Sequence, residues 1–163
     1  MSELTQARLK ELLHYCPETG RFTWLKPRGV AKGSSPGAMN GNGYIQIKID
    51  YRRYMAHRLA WLYIYGEFPS DMLDHINRIK TDNRLENLRL ATNSENQQNA
   101  GLSKGNTSGA KGVSWHKVSG CWRVQIRAGG KKKHIGSFKD FELAELVASE
   151  ARELYCGEFC RHK

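Results

Sequence analysis

Residues Leu73–Ala100 read LDHINRIKTDNRLENLRLATNSENQQNA, and the rest of the chain is organised to hold them. The stretch opens on an acid and a histidine side by side, Asp74-His75, after the apolar Met72 and Leu73. A polar loop leads to Asn87-Leu88-Arg89, and a new segment starts at Thr92. There Thr92 can cap the free N–H groups of a helix while Glu95, three residues on, reaches back to the cap's own amide. Asn96 then falls in the first helical turn, where the positive end of the helix dipole favours anionic partners such as phosphate. One imidazole, one carboxylate and two Asn amides thus converge on a helix start.

These residue types suit the cutting of a phosphodiester with one metal ion. A hard cation such as Mg takes oxygen ligands, one or two of them from protein, and completes its shell with water and substrate phosphate. Asp74 and Asn96 can supply two such oxygens. A histidine with its pKa near working pH can deprotonate the attacking water. An Asn carbonyl such as that of Asn87 can accept from one imidazole nitrogen and leave the other as the base. The metal would offset charge on a non-bridging oxygen and on the leaving oxygen.

Asp74-His75, Asn87 and Asn96 resemble the HNH nucleases, whose ββα-metal motif is a two-stranded ribbon followed by one helix. The likeness is to the phage-type, intron-encoded or free-standing homing endonucleases, in which the last histidine is replaced by asparagine. It implies His75 as general base, Asp74 and Asn96 as metal ligands, and Asn87 as the residue that orients the base. A neutral amide at Asn96 binds Mg more weakly than an acid or a histidine, so modest metal affinity and slow turnover are expected. The implied cofactor is a divalent ion, Mg first and Mn as the alternative.

Composition points the same way. The 163 residues carry a net charge of +10, from 26 Lys and Arg against 16 Asp and Glu, and the sequence pI is about 9.6. A polyanionic partner follows, with double-stranded DNA expected. No apolar run approaches the roughly 18 residues of a membrane span, so no membrane partner is expected. The start, MSELTQARLKELL, lacks the apolar core of a signal peptide, so a cytoplasmic protein is expected, in the bacterial host if the origin is a phage. Cys16, Cys121, Cys156 and Cys160 form no CxxC pair and read as reduced thiols.

In chain order, residues 4–15 have the spacing of a helix with Thr5 as cap, and Pro17–Gly20 turns into a strand at Arg21–Leu25. Residues 27–43 read as a loop that could place Arg28 and Lys32 near phosphates. Tyr44–Ile49 alternates as a strand, turns at Asp50-Tyr51 and returns through Arg52 and Arg53, a hairpin with a basic edge whose two arginines are expected to contact DNA. His57-Arg58 opens a buried helix, LAWLYIY, closed by Gly66. His57 itself reads as structural or phosphate-facing.

Residues 101–110 have a linker's composition. Beyond them Gly112–Lys117, Cys121–Arg127 and Lys132–Phe138 read as three strands joined at Ser119-Gly120 and Gly129-Gly130. Asp140 then caps a helix with an apolar stripe at Leu143, Ala144, Val147, Ala148, Ala151, Leu154 and Tyr155. This part, with its GVSWHK start, His134-x-Gly136-x-Phe138 and Gly157-Glu158-Phe159, resembles the Apetala-two/ethylene-response-factor DNA-binding domain. That family lays its sheet in the major groove, which a β-ribbon can enter. The likeness implies Arg123, Gln125 and Arg127, alternating on one face, as base or phosphate readers, with Trp115 and Trp122 against sugars; the sheet pattern puts Lys133 on that same DNA-facing side.

The expected architecture is α+β: an HNH domain over 1–100, a linker over 101–110 and an Apetala-two-like domain over 111–163. The expected activity is that of a monomeric, metal-dependent, site-directed DNA endonuclease, with nicking of one strand as one form of it. Two rivals are a DNA-binding regulator with an inactive HNH fold and a nuclease acting on RNA or on particular nucleic-acid structures.

Overall fold

Thr5 starts the first element, its side chain accepting the Arg8 N–H at 3.3 Å and capping α1 (Gln6–Leu12). The computed structural model describes residues 3–25 and 33–156. The helix expected over 4–15 stops at Leu12, and Leu13–Cys16 becomes strand β1, antiparallel to β2 (Arg21–Trp24). The cause lies in the turn at 17–20. Gly20 takes φ +68, which an L side chain adopts only with strain. The hairpin so formed buries Leu13 and Tyr15 on alternate positions. Leucines spaced for a helix face serve a strand face equally well here.

A second sheet follows, with β3 (Ala38–Met39), β4 (Ile45–Ile49) and β5 (Arg52–Met55) in the order β3-β4-β5. Asp50 and Tyr51 both have positive φ, 44 and 68, which is the two-residue turn whose twist matches a hairpin. β3 lies inside the stretch expected as loop; Arg28 and Lys32 lie outside the described residues. α2 (Ala56–Tyr65) runs to Gly66, whose left-handed backbone donates to Leu62 O at 3.0 Å. The ribbon β6 (Met72–His75) and β7 (Leu88–Ala91) comes next, its strands joined through a 3-10 turn at Leu85–Asn87. Leu9, Leu13, Ile47, Leu59 and Leu62 form the core, and Leu88 ties the ribbon into it.

By internal contacts the chain divides into two units, Met1–Ala91 and Thr92–Lys163. The second begins with α3 (Asn93–Asn99), which has the expected capping box: Thr92 accepts from Glu95 N, and Glu95 accepts the Thr92 N–H at 2.7 Å. β8 (Val113–His116), β9 (Cys121–Ala128) and β10 (Lys131–Phe138) form an antiparallel sheet in the order β10-β9-β8. α4 (Phe141–Cys156) covers it, with Asp140 Oδ1 accepting the Leu143 N–H at 2.7 Å. Val113 and Val124 meet Ala144 and Ala148, whose small side chains let the helix approach the sheet. The apolar stripe is narrower than expected: Leu143, Leu154 and Tyr155 are exposed. The Gly157-Glu158-Phe159 ending lies outside the described residues. The fold is mixed α and β, as expected, with helices α1–α4 and small antiparallel sheets.

Candidate active site

β6 and β7 pair with Asp74 opposite Arg89 and His75 opposite Leu88. Strand alternation sends neighbouring side chains to opposite faces. Asp74 Oδ2 accepts from Arg89 Nε at 3.1 Å and Nη2 at 3.0 Å, an ion pair whose carboxylate is buried and whose guanidinium is half-buried. His75, 4% exposed, lies on the core side with Leu88. Its ring centroid is 5.1 Å from that of His57 and 5.9 Å from that of Tyr44. The acid and the imidazole are thus adjacent in sequence but look onto different surroundings.

The amide that meets the imidazole is that of Asn83: His75 Nε2 and Asn83 Oδ1 are 3.2 Å apart. This differs from the expectation that Asn87 would fill this place. Asn87 instead secures the loop between the strands, since its Oδ1 accepts the Asn77 N–H at 2.9 Å and its Nδ2 donates to Asp82 O at 2.8 Å. Asn77 in turn donates to Asp82 Oδ2 at 2.7 Å, and Arg84 Nη2 donates to the same oxygen at 2.8 Å. The loop is therefore closed by side chains onto its own backbone, the usual work of Asn and Asp in turns.

Two distant elements brace Asn83. Tyr15 Oη donates to Asn83 O at 2.7 Å. Gly20 lies so close that a Cβ there would come within 2.5 Å of the Asn83 carbonyl carbon. Neither contact has a signal in the sequence, because both join the first hairpin to a loop far along the chain. Asn83 itself had no spacing that set it apart from Asn77 or Asn87.

Burial dominates the electrostatics. It pushes the His75 pKa below the usual imidazole value, against the Asn83 hydrogen bond and the charges of Asp74 and Asp82, which push it up. His57 is pushed down to about 4 by burial, then by the charges of His75 and Arg58. Its Nδ1 is enclosed and has no hydrogen-bond partner among the described residues. Both rings are therefore held as neutral bases near neutral pH. Asp82 is held down at about 2, first by its hydrogen bond from Arg84.

Among the described residues no three His, Cys, Asp or Glu side chains gather into a metal cage. A hydrated hard cation needs only one or two protein oxygens, so a carboxylate with one amide fits Mg rather than zinc. Asp74 is such a carboxylate. Asn96 lies in the first turn of α3, half-buried, with its N–H donating to Thr92 O at 3.0 Å.

The other expected contacts sort by strand parity. Val124, Ile126 and Ala128 of β9 are buried, so Arg123, Gln125 and Arg127 share the opposite face, as the alternation predicts. Lys133 does not join them. It pairs with Ile126 and lies on the helix side, its Nζ 4.2 Å from the centroid of the Tyr155 ring; Lys132 takes the place opposite Arg127. Trp115 and Trp122 are cross-strand partners, 5.0 Å apart, on that same helix side, and Trp122 packs on Phe141 at 4.8 Å. Arg52 and Arg53 are exposed on successive positions of β5 and so point to opposite faces.

Residues 54–98 match the family described as HNH endonuclease. Over 114 residues the chain is 35% identical to Protein 3.8 of Escherichia phage T7, an overlap of 69% of this chain and 93% of that protein. It is 32% identical over 121 residues to an uncharacterised HNH endonuclease, L560, of Acanthamoeba polyphaga mimivirus, covering 72% of this chain and 61% of that relative. No solved structure matches the chain. Among the described residues no helix is long and apolar enough to cross a membrane.

Proposed function

This chain belongs to the HNH endonuclease family, and we propose that it is a metal-dependent endonuclease of double-stranded DNA with His75 as its general base. The observation that supports this most is a neutral imidazole, held by Asn83 at 3.2 Å, one residue along the ribbon strand from a carboxylate on its other face, inside the matched segment. A divalent ion, Mg first, would be held by Asp74, with Asn96 as the second oxygen donor on the strength of its place in that segment. Bound there, the ion supplies charge stabilisation for a phosphodiester under attack.

The chain's own residues do the rest. Asn83 holds one imidazole nitrogen, which orients the ring and fixes its tautomer. Asn87, through Asn77 and Asp82, holds the loop that carries Asn83. His75 then takes the proton from water at its other nitrogen. Arg123, Gln125 and Arg127 on the sheet face set the register on DNA through phosphate and base contacts. The division into a nuclease over 1–100 and an Apetala-two-like reader over 111–163 is part of the proposal.

A specific observation favours one rival. Asp74 is paired with Arg89, and His75 is buried, which is also what an inactive fold retained for DNA binding would look like. Plasmid nicking separates the two. With Mg the wild type should nick, chelation should abolish cutting, and His75→Ala should lose about a hundredfold or more, the usual share of a general base. Wild type, His75→Ala and Asp74→Ala that all bind duplex tightly and are equally inert would establish the binder instead.

A further inference from the structure

The second unit contains a cavity of about 270 Å³ that plays no part in the chemistry above. Ser94 and Gln98 of α3, Lys111, Gln125 and Arg127 of the sheet, and Arg152 of α4 line it. Among the described residues no carboxylate lines it; Glu142 and Glu145 line a neighbouring cavity that Arg152 also borders. Arg152 is 7% exposed and makes no hydrogen bond or ion pair among the described residues; its Nη2 is enclosed without a partner. A guanidinium cannot shed its proton, and burying a charge without a counter-ion is costly. Ser94 Oγ is also enclosed and without a partner among the described residues. Two donors without acceptors therefore line one basic cavity.

Two further cationic side chains stand at the cavity wall. Lys111 Nζ donates to Gln98 O at 2.6 Å and to Ala100 O at 2.5 Å, so it braces the end of α3 beside the cavity. Arg127 reaches Gln97 Oε1 at 3.4 Å from the same wall. Arg127 also ends the row Arg123-Gln125-Arg127 on the open sheet face, so the cavity continues that row.

We propose that this cavity is a binding site for a phosphate group, with Arg152 and Ser94 as its donors. Charge-assisted bonds from guanidinium and hydroxyl to phosphate oxygens are the strong kind. The phosphate comes either from the DNA backbone, which rests on the reading of the sheet face as a DNA surface, or from a free phosphate.

The full chain tests this in two arms. In the first, inorganic phosphate is compared with chloride at equal ionic strength by thermal unfolding. Phosphate should raise the wild-type melting temperature, leave Arg152→Gln and Ser94→Asp unmoved, and act partly on Arg152→Lys. Ser94→Asp reads the cavity without altering α4, should Arg152→Gln fold poorly. In the second, binding of a labelled duplex is followed over a salt series without divalent metal. Arg152→Gln should weaken it about tenfold and reduce the salt slope by about one, as loss of one phosphate contact does. Both effects together assign the site to backbone phosphate; phosphate stabilisation with an unchanged slope assigns it to free phosphate. No phosphate effect on the wild type together with unchanged DNA binding in both variants overturns the proposal. A wild type that does not bind duplex at all would defeat the DNA reading and leave the first arm to decide the cavity.

Discussion

His57 should make this protein acid-sensitive well above the carboxylate range. The residue is 8% exposed in the first turn of α2, its Nδ1 has no partner among the described residues, and its pKa is pushed down to about 4. In the unfolded chain it returns to the usual imidazole value of about 6.5. The folded pKa is the lower one, so the unfolded chain takes the proton first as pH falls. The resulting stability is present above about pH 6.5 and is lost progressively down to about pH 4. A difference of about 2.5 units corresponds to about 3 kcal/mol in full, of which about 2 kcal/mol is gone by about pH 5. His75, also pushed down, adds a loss of the same sign. Asp82 acts in a separate window, because its depressed pKa of about 2 gives stability that is lost only as pH falls from about 4 towards 2. Urea denaturation followed by tryptophan fluorescence, at about pH 7 and about pH 5, measures the effect. His57→Gln, which cannot titrate, should lose about 2 kcal/mol less than wild type over that interval. An equal loss in both would refute the reasoning.

Arg89→Met should destabilise by about 3 kcal/mol, because it leaves the Asp74 carboxylate buried without its guanidinium; Asp74→Asn in the same chain should restore part of this in denaturant titration. Asn83→Ala removes the acceptor at His75 and should lower kcat more than it raises KM, with a stability cost of about 1–3 kcal/mol from the broken buried hydrogen bond. Comparable losses in kcat and stability on Asn87→Ala and none on Asn83→Ala would reverse their assigned roles. Gly20→Ala forces a side chain into the Asn83 backbone at φ +68 and should cost more than about 1 kcal/mol, visible as a lowered melting temperature and reduced nicking.

Much of the site was legible in one dimension because its signals are local. The capping box needs only Thr92 and Glu95 three residues apart, and it formed as read. The hairpin turn at Asp50-Tyr51 and the α2 stop at Gly66 depend on backbone conformations set within a few residues. The face of Arg123, Gln125 and Arg127 follows from alternation along one strand. That counting does not carry across to a second strand. Lys133, expected on the face of Arg127, has Ile126 as its partner across the sheet. The register shift between His134 and Gly136 lies in the same strand. Trp115 and Trp122 share a face because they oppose each other across β8 and β9, a pairing their spacing alone does not reveal.

By itself the sequence determined the mixed α and β class, the start of α3 and the shared face of Arg123, Gln125 and Arg127, all of which rest on periodicity, turn chemistry and caps within about ten residues. The ribbon with its Asp74-His75 pair followed from the family resemblance. Only the tertiary structure decided that Asn83 rather than Asn87 meets His75, that Gly20 and Tyr15 brace that loop, and that Arg152 Nη2 is enclosed near Ser94 without a partner among the described residues. Asparagines in one loop look alike in sequence. Which of them reaches an imidazole is settled by packing between elements distant along the chain, and so is the burial that keeps His57 and His75 neutral.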